Sequence, residues 1–293
     1  MNHMSFAKKV AAREFVVVAE MHTPKGVNIT RLVNDARRVK GRIDGVVVPD
    51  MDNGIMRMSA LAGGALMQQQ GIEAIIHLYC RDRNRLALQG DMLAAHVLGI
   101  RNLVVTHSEE MSQGDHREAK SVNDITEVEL VQTAGDLCRG QDMSGFELDG
   151  APEFTIGCTI APYADDQALA GELQAAADKV AAGARFIVAP PVFDVNHFQV
   201  FAEQAKGLQV PIIPTVFLLK SLAIAQYIAR SEPGARISED LIKRIRKASD
   251  REAEGIKIAG ETVAALKGLA GGVMIQTLGW EHKLPEILDY AEL

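Results

Sequence analysis

Cysteine is scarce in this chain. Its 293 residues include only Cys80, Cys138 and Cys158, far apart and with no CxxC pair. That argues against a zinc ribbon or an iron–sulfur cluster within the chain, and it suits a reducing cytoplasm. Long hydrophobic runs are also missing. No stretch approaches the roughly 18 apolar residues of a membrane span, and the opening MNHMSFAKKVAAREF has no apolar core of signal-peptide length. The expectation is a soluble, cytoplasmic protein with no membrane partner. Basic charge is not in excess either. The formal net charge is −7, which gives no electrostatic reason to expect nucleic acid. Two glycine signatures are absent. The turn after the first expected strand reads MHTPKG rather than GxGxxG, and no GxxxxGK[ST] occurs. Low-complexity segments and short repeats are absent too.

What is present is a regular alternation. Hydrophobic residues make up 47% of the chain, enough for a sizeable core. Short β-branched runs fall at 15–21, 45–50, 74–80, 102–106, 154–160, 186–189, 210–217 and 272–277. Such continuous apolar runs mark strands buried on both faces. Helical patterns lie between them, including 29–39 (with Asn28 as its cap), 57–69, 86–98, 126–139, 166–182, 196–204, 221–230, 238–247, 250–269 and 284–290. A short amphipathic helix at 5–13 leads in. Eight strands alternating with eight or more helices predict one (β/α)8 barrel domain over residues 1–293. A doubly wound open sheet is the rival, weakened by the missing glycine-rich turn.

In a parallel barrel, ligands bind at the carboxyl ends of the strands. The stretch from His77 to Lys120 delivers two polar clusters there, Arg81-Asp82-Arg83-Asn84 and then Thr106 through Lys120. Glu20 ends the first strand. A carboxylate among apolar walls should have a raised pKa and could serve as a general acid, or it could be a structural partner of an arginine or lysine. The loop holding Thr106, His107, Ser108, Glu109, Glu110, Asp115 and His116 has several readings. Its residue types suit a metal, but without compact ligand spacing. A Ser-His-Asp set lacks its nucleophile-elbow sequence. A polar wall for a phosphate-bearing cofactor would use His116 and Lys120 as donors. The plainest reading is a solvated loop. On chemistry alone Lys179 is a solvent-facing helical lysine, and Lys220 a lysine snorkelling at a helix start.

Five blocks carry a resemblance: AEMHTPKG, CRDRNRLALQGDMLAAHVLGIRNLVV, GDHREAKSVNDI, KVAAGARFI and GWEHKLPEI. Together they resemble the methylenetetrahydrofolate reductase family over essentially the whole chain, nearest its short catalytic-domain form from acetogenic bacteria. The resemblance implies a barrel holding a flavin, FAD or possibly FMN, along its carboxyl ends. It implies reduction of 5,10-methylenetetrahydrofolate to 5-methyltetrahydrofolate, with Glu20 as the acid that aids ring opening. His77, Thr106, His107, Ser108, Glu109, His116, Ala119, Lys120 and Lys179 fall on its flavin positions. Glu20, Glu109 and Pro190 fall on its folate positions. NADH, NADPH or an electron-relay partner subunit would supply electrons, and homo-oligomers are common in the family. Three positions depart from the pattern. Ser108-Glu109 replaces a Gly-Asp pair, Pro190 replaces a folate-binding glutamine, and Pro49 replaces a threonine near the flavin. Two alternatives therefore stand beside the reductase: a member that binds a pterin or serves as a partner subunit without hydride transfer, and a folate-linked methyltransferase.

Overall fold

A computed structural model describes residues 4–107 and 110–293. The strands are β1 (Val16–Glu20), β2 (Gly45–Val48), β3 (Ala74–Leu78), β4 (Asn102–Val105), β5 (Thr155–Thr159), β6 (Phe186–Pro191), β7 (Ile212–Phe217) and β8 (Gly272–Gln276). All pair in parallel, in chain order, and β8 pairs with β1 to close the barrel. The helices are α1 (Phe6–Ala12), α2 (Thr30–Val39), α3 (Ala60–Gln69), α4 (Arg85–Val97), α5 (Glu127–Cys138), α6 (Asp166–Ala182), α7 (Val195–Gln204), α8 (Leu222–Ser231), α9 (Glu239–Lys247), α10 (Arg251–Leu266) and α11 (Leu284–Tyr290). The (β/α)8 barrel expected from the alternation is the fold. Among the described residues, no helix is long and apolar enough to cross a membrane.

Successive strand residues point to opposite faces, so each strand supplies two cores. The outward residues, such as Val17, Ala19, Val46, Ile76, Leu103 and Ile275, pack under the helices. The inward ones form a separate cluster: Val16, Val18, Val47, Ile75, Val104, Phe186, Val188, Ile213 and Met274. Phe6 and Val10 of α1 join that inner cluster, so the lead-in helix closes the amino-terminal end of the barrel. Phe6 meets Phe186 edge to face at 5.2 Å. The Phe186 ring also lies where a Cβ on Gly157 would be, at 2.4 Å, so β5 leaves room for it. In α3, Gly63 and Gly64 mark close packing. Cβ atoms there would fall 2.6 Å from Thr23 and 2.7 Å from Ile100.

Several boundaries differ from the sequence reading, and three of the differences have a cause in the local hydrogen bonding. The strand expected at 186–189 runs on through Pro190 and Pro191. Prolines cannot donate to a ladder, and the pairing slips one residue between Ala189 and Pro191. Thr215 spans the slip, donating its hydroxyl to the Ala189 carbonyl at 2.9 Å while its own carbonyl accepts from the Val192 amide at 2.9 Å. The helix expected at 57–69 begins at Ala60, because the Met58 amide donates to the Pro24 carbonyl and Ser59 is the cap. Asn28 is not the cap of α2. Ile29 holds that position, while the Asn28 side chain accepts from the Thr30 amide at 3.1 Å.

Candidate active site

The inward period of each strand, carried two residues beyond the interior cluster, gives the last layer before the carboxyl-end mouth. Val18 leads to Glu20, Val47 to Pro49, Ile75 to His77, Val104 to Thr106, Gly157 to Thr159, Val188 to Pro190, Ile213 to Thr215 and Met274 to Gln276. Two neighbouring pairs in this ring are hydrogen-bonded. The Gln276 amide donates to Glu20 Oε1 at 2.7 Å, and the Thr159 hydroxyl donates to the Thr106 hydroxyl at 3.1 Å.

Glu20 is 5% exposed. Burial pushes its carboxyl pKa up, against the opposing pull of His22 and of the Gln276 hydrogen bond. No described arginine or lysine pairs with it, so the structural-partner reading lacks its partner. His22 Nε2 lies 2.8 Å from Asp52 Oδ2 and 3.7 Å from Glu20 Oε1. Burial opposes charging of His22, but the Asp52 hydrogen bond and both carboxylates outweigh it and raise its pKa. Asp52 is correspondingly lowered, because its hydrogen bond and ion pair with His22 overcome burial. His77 is buried and its pKa is pushed down to about 4 by desolvation, so it is neutral. Its Nδ1 lies 3.5 Å from the Tyr79 hydroxyl, and its Nε2 is buried without a partner. Thr277 Oγ1, just past β8, is likewise buried and unpartnered.

On the β4 side a cleft of about 670 Å³ opens, lined by Arg81, Thr106, His107, Glu127 and Lys179 among others. Lys179 is not the solvent-facing lysine that its helix suggests. It is 4% exposed and donates to Glu127 at 2.9 Å and to the Thr159 carbonyl at 2.7 Å. Glu127 also meets His107 Nδ1 at 3.3 Å. Lys220 does not snorkel outward either. It caps the Leu278 carbonyl and lies over the Trp280 ring at 5.5 Å.

The two polar clusters divide their labour. The CRDRN block is largely a set of ties between loops. Arg81 holds Asp82 at 2.7 Å and the Met51 carbonyl at 2.9 Å, and stacks over Tyr79. Arg83 bridges Asp50 at 2.6 Å and Asp91 at 2.8 Å. Asn84 caps α4. In the second cluster, Asp115 pairs with Lys25 and accepts from the Met56 amide at 3.0 Å. Gly114 lies against Gly54 so closely that a Cβ on it would meet the Gly54 carbonyl. The β4 loop thus reaches over to the β2 loop. The candidates converge only in part. Thr106, His107 and Lys179 share one cleft, with Glu20 and His77 in the ring beneath the mouth. His116, Ala119 and Lys120 are exposed on the β4 loop and do not line that cleft. Pro190 borders a separate aromatic-lined cavity of about 210 Å³ with Tyr163, Phe193 and His197. Ser108 and Glu109 lie outside the described residues. Sequence reasoning missed His22, Asp52, Gln276 and Glu127. The strand period would have marked Gln276, whereas nothing local marks Asp52.

A flavin is testable against this donor set. Neutral His77 Nε2 stands buried and unpaired, facing inward at the end of β3, and a cleft of ligand size on the β4 side is lined by the polar groups of Arg81, Thr106, His107 and Lys179. These residues fit a polar heteroaromatic group.

Comparison with solved structures finds the same barrel. A protein from Clostridium thermocellum, described as binding two copies of 5-methyl-5,6,7,8-tetrahydrofolic acid, superposes with a TM-score of 0.61 at 14% identity, over 97% of this chain and 96% of that one. EDTA monooxygenase from Chelativorans sp. BNC1 superposes with a TM-score of 0.56 at 10% identity, over 95% and 94%. At these identities the likeness is one of fold. Comparison with curated protein sequences finds no match. The family model for methylenetetrahydrofolate reductase, by contrast, matches residues 5–292, and the chain belongs to that family.

Proposed function

We propose that this protein is a flavin-dependent oxidoreductase that reduces 5,10-methylenetetrahydrofolate to 5-methyltetrahydrofolate. The observation that carries the reading is Glu20: an inward-facing carboxyl at the barrel mouth, held by Gln276, with its pKa raised by burial. A carboxyl so placed keeps its proton to higher pH than an exposed glutamate does, which suits a general acid. Family membership and the folate-binding neighbour support a folate ligand.

His77, Thr106, His107 and Lys179 would hold FAD or FMN, with Ser108, Glu109, His116, Ala119 and Lys120 joining from the β4 loop. The flavin, when bound, supplies the hydride. The chain's own residues bind and protonate. Glu20 donates its proton to the substrate nitrogen that leaves the methylene carbon, which opens the five-membered ring to an iminium. Neutral His77 offers Nε2 as a hydrogen-bonding atom without placing a positive charge in the mouth. The Lys179–Glu127–His107 set fixes the β4–β5 wall. NADH, NADPH or a partner subunit delivers the electrons.

The test begins with the visible spectrum of the protein, alone and after incubation with FAD and with FMN. Methylenetetrahydrofolate is then offered with NADH, NADPH and a reduced viologen dye. Flavin binding with product formation is expected. A protein that takes up neither flavin, or reduces no folate with any donor, ends the reading. Pro190 favours a second reading, a pterin-binding member without hydride transfer. The proline gives that position no side-chain hydrogen bond for a pterin, and it sits at a slip in the sheet. Tight folate binding by a colourless protein would select it.

A further inference from the structure

Glu20 presents a problem of supply. It is buried, and it does not line the cleft of about 440 Å³ that opens between the β1, β2 and β8 loops. An acid that gives up its proton in each turnover must regain one from water. His22 and Asp52 do line that cleft, with Arg31, Arg57 and Glu281. One nitrogen, His22 Nε2, faces both carboxylates, at 2.8 Å from Asp52 and 3.7 Å from Glu20.

We propose that His22, oriented by Asp52, is the positioning residue through which Glu20 exchanges its proton with the cleft. The inference rests on the reading of Glu20 as the acid and deepens it. The balance is a single proton. The His22 imidazolium passes its Nε2 proton to the Glu20 carboxylate and becomes neutral, and a hydronium ion in the cleft returns a proton to Nε2. The 3.7 Å separation exceeds a hydrogen bond. A small turn of the imidazole, away from Asp52, closes it. Gln276 meanwhile holds the Glu20 carboxyl in place.

The charges facing His22 come from three elements. Glu20 stands on β1, Asp52 on the β2 loop, and Arg57 just ahead of α3, while His77 on β3 is neutral. Glu281, past β8, acts on Glu20. Burial and Arg57 oppose the imidazolium, and the two carboxylates with the Asp52 hydrogen bond favour it more strongly. The imidazolium therefore persists to higher pH than in an exposed histidine, as suits a donor to Glu20.

The test reads Glu20 directly, by carboxyl ¹³C NMR of the full chain labelled at glutamate and assigned with Glu20→Gln. In His22→Gln, the Glu20 titration midpoint is expected to rise by about one pH unit, tenfold in its ionisation constant. In Asp52→Asn, the His22 ring resonances should titrate about one pH unit lower. A second arm uses turnover. His22→Ala should lose about tenfold in methylenetetrahydrofolate reduction, regained with imidazole in the buffer but not with pyrazole, a ring of similar size and far weaker basicity. An unmoved Glu20 midpoint in His22→Gln, or equal rescue by pyrazole, overturns the inference. Wild-type protein without folate turnover overturns the functional reading instead, and the NMR arm still decides whether His22 governs the Glu20 proton.

Discussion

Glu20 and His77 are two titratable groups that burial drives in the same direction, toward neutrality. For Glu20 this means a raised pKa. On the proposed reading, Glu20→Gln should lower turnover by about 100-fold or more while flavin binding persists, checked by steady-state rates and the flavin spectrum. Wild-type activity should fall as pH rises through the Glu20 pKa, because the acid form is then lost. His77 gives a stability prediction of the opposite slope. Its pKa is about 4 in the folded chain and ordinarily near 6.5. The unfolded chain therefore takes up a proton first. Stability is full above the unfolded value and is lost as pH falls from there through the folded value, by roughly 3 kcal/mol. Urea unfolding of wild type and His77→Gln at pH 7.5 and pH 4.5 checks this, and the variant should lack that part of the slope. The inward placement of Glu20 was legible in the sequence, since a period of two from Val16 and Val18 leads to it. His22 was legible as a neighbour only. Its partner Asp52 comes from another loop, and no local pattern joins the two.

At the scale of elements, the strands were easy to read and their roles at the mouth were not. Continuous β-branched runs mark strands buried on both faces, so all eight could be read and the barrel followed. The CRDRN block also looked like chemistry. Its arginines tie the β3 loop to the β2 loop and to α4, and Arg81 lines the cleft as well, because charge at a strand end serves a loop tie as well as a ligand. Lys179 misled in the reverse sense. A helical lysine usually faces water, but α6 turns this one toward the Thr159 carbonyl. The proline pair ended the expected strand too early, because a slip in pairing, and not a break, removes the need for their amides. Packing at β5 gives a sharp prediction. Gly157→Ala forces a methyl group into the Phe186 ring and should cost about 1–3 kcal/mol of stability, measured by urea unfolding. The paired change Gly157→Ala with Phe186→Leu should cost less than the sum of its parts.

For the whole molecule, the inner cluster and the plugging helix form one unit. Phe6 is fully buried against Phe186. Phe6→Ala should lower stability by about 3–5 kcal/mol, read by thermal or urea unfolding, although the residue is at the opposite end of the barrel from the candidate site. The hydrogen bond between Glu20 and Gln276 carries a consequence in time. The two residues are 256 positions apart, on the first and last strands. A ribosome makes Glu20 long before Gln276. Until β8 closes against β1, the carboxyl has no amide partner and no complete apolar wall, and it behaves as an ordinary, water-facing glutamate. The acid is thus a property that appears only when the ring is shut. A nascent or truncated chain ending before residue 272 can hold every other strand and still lack it.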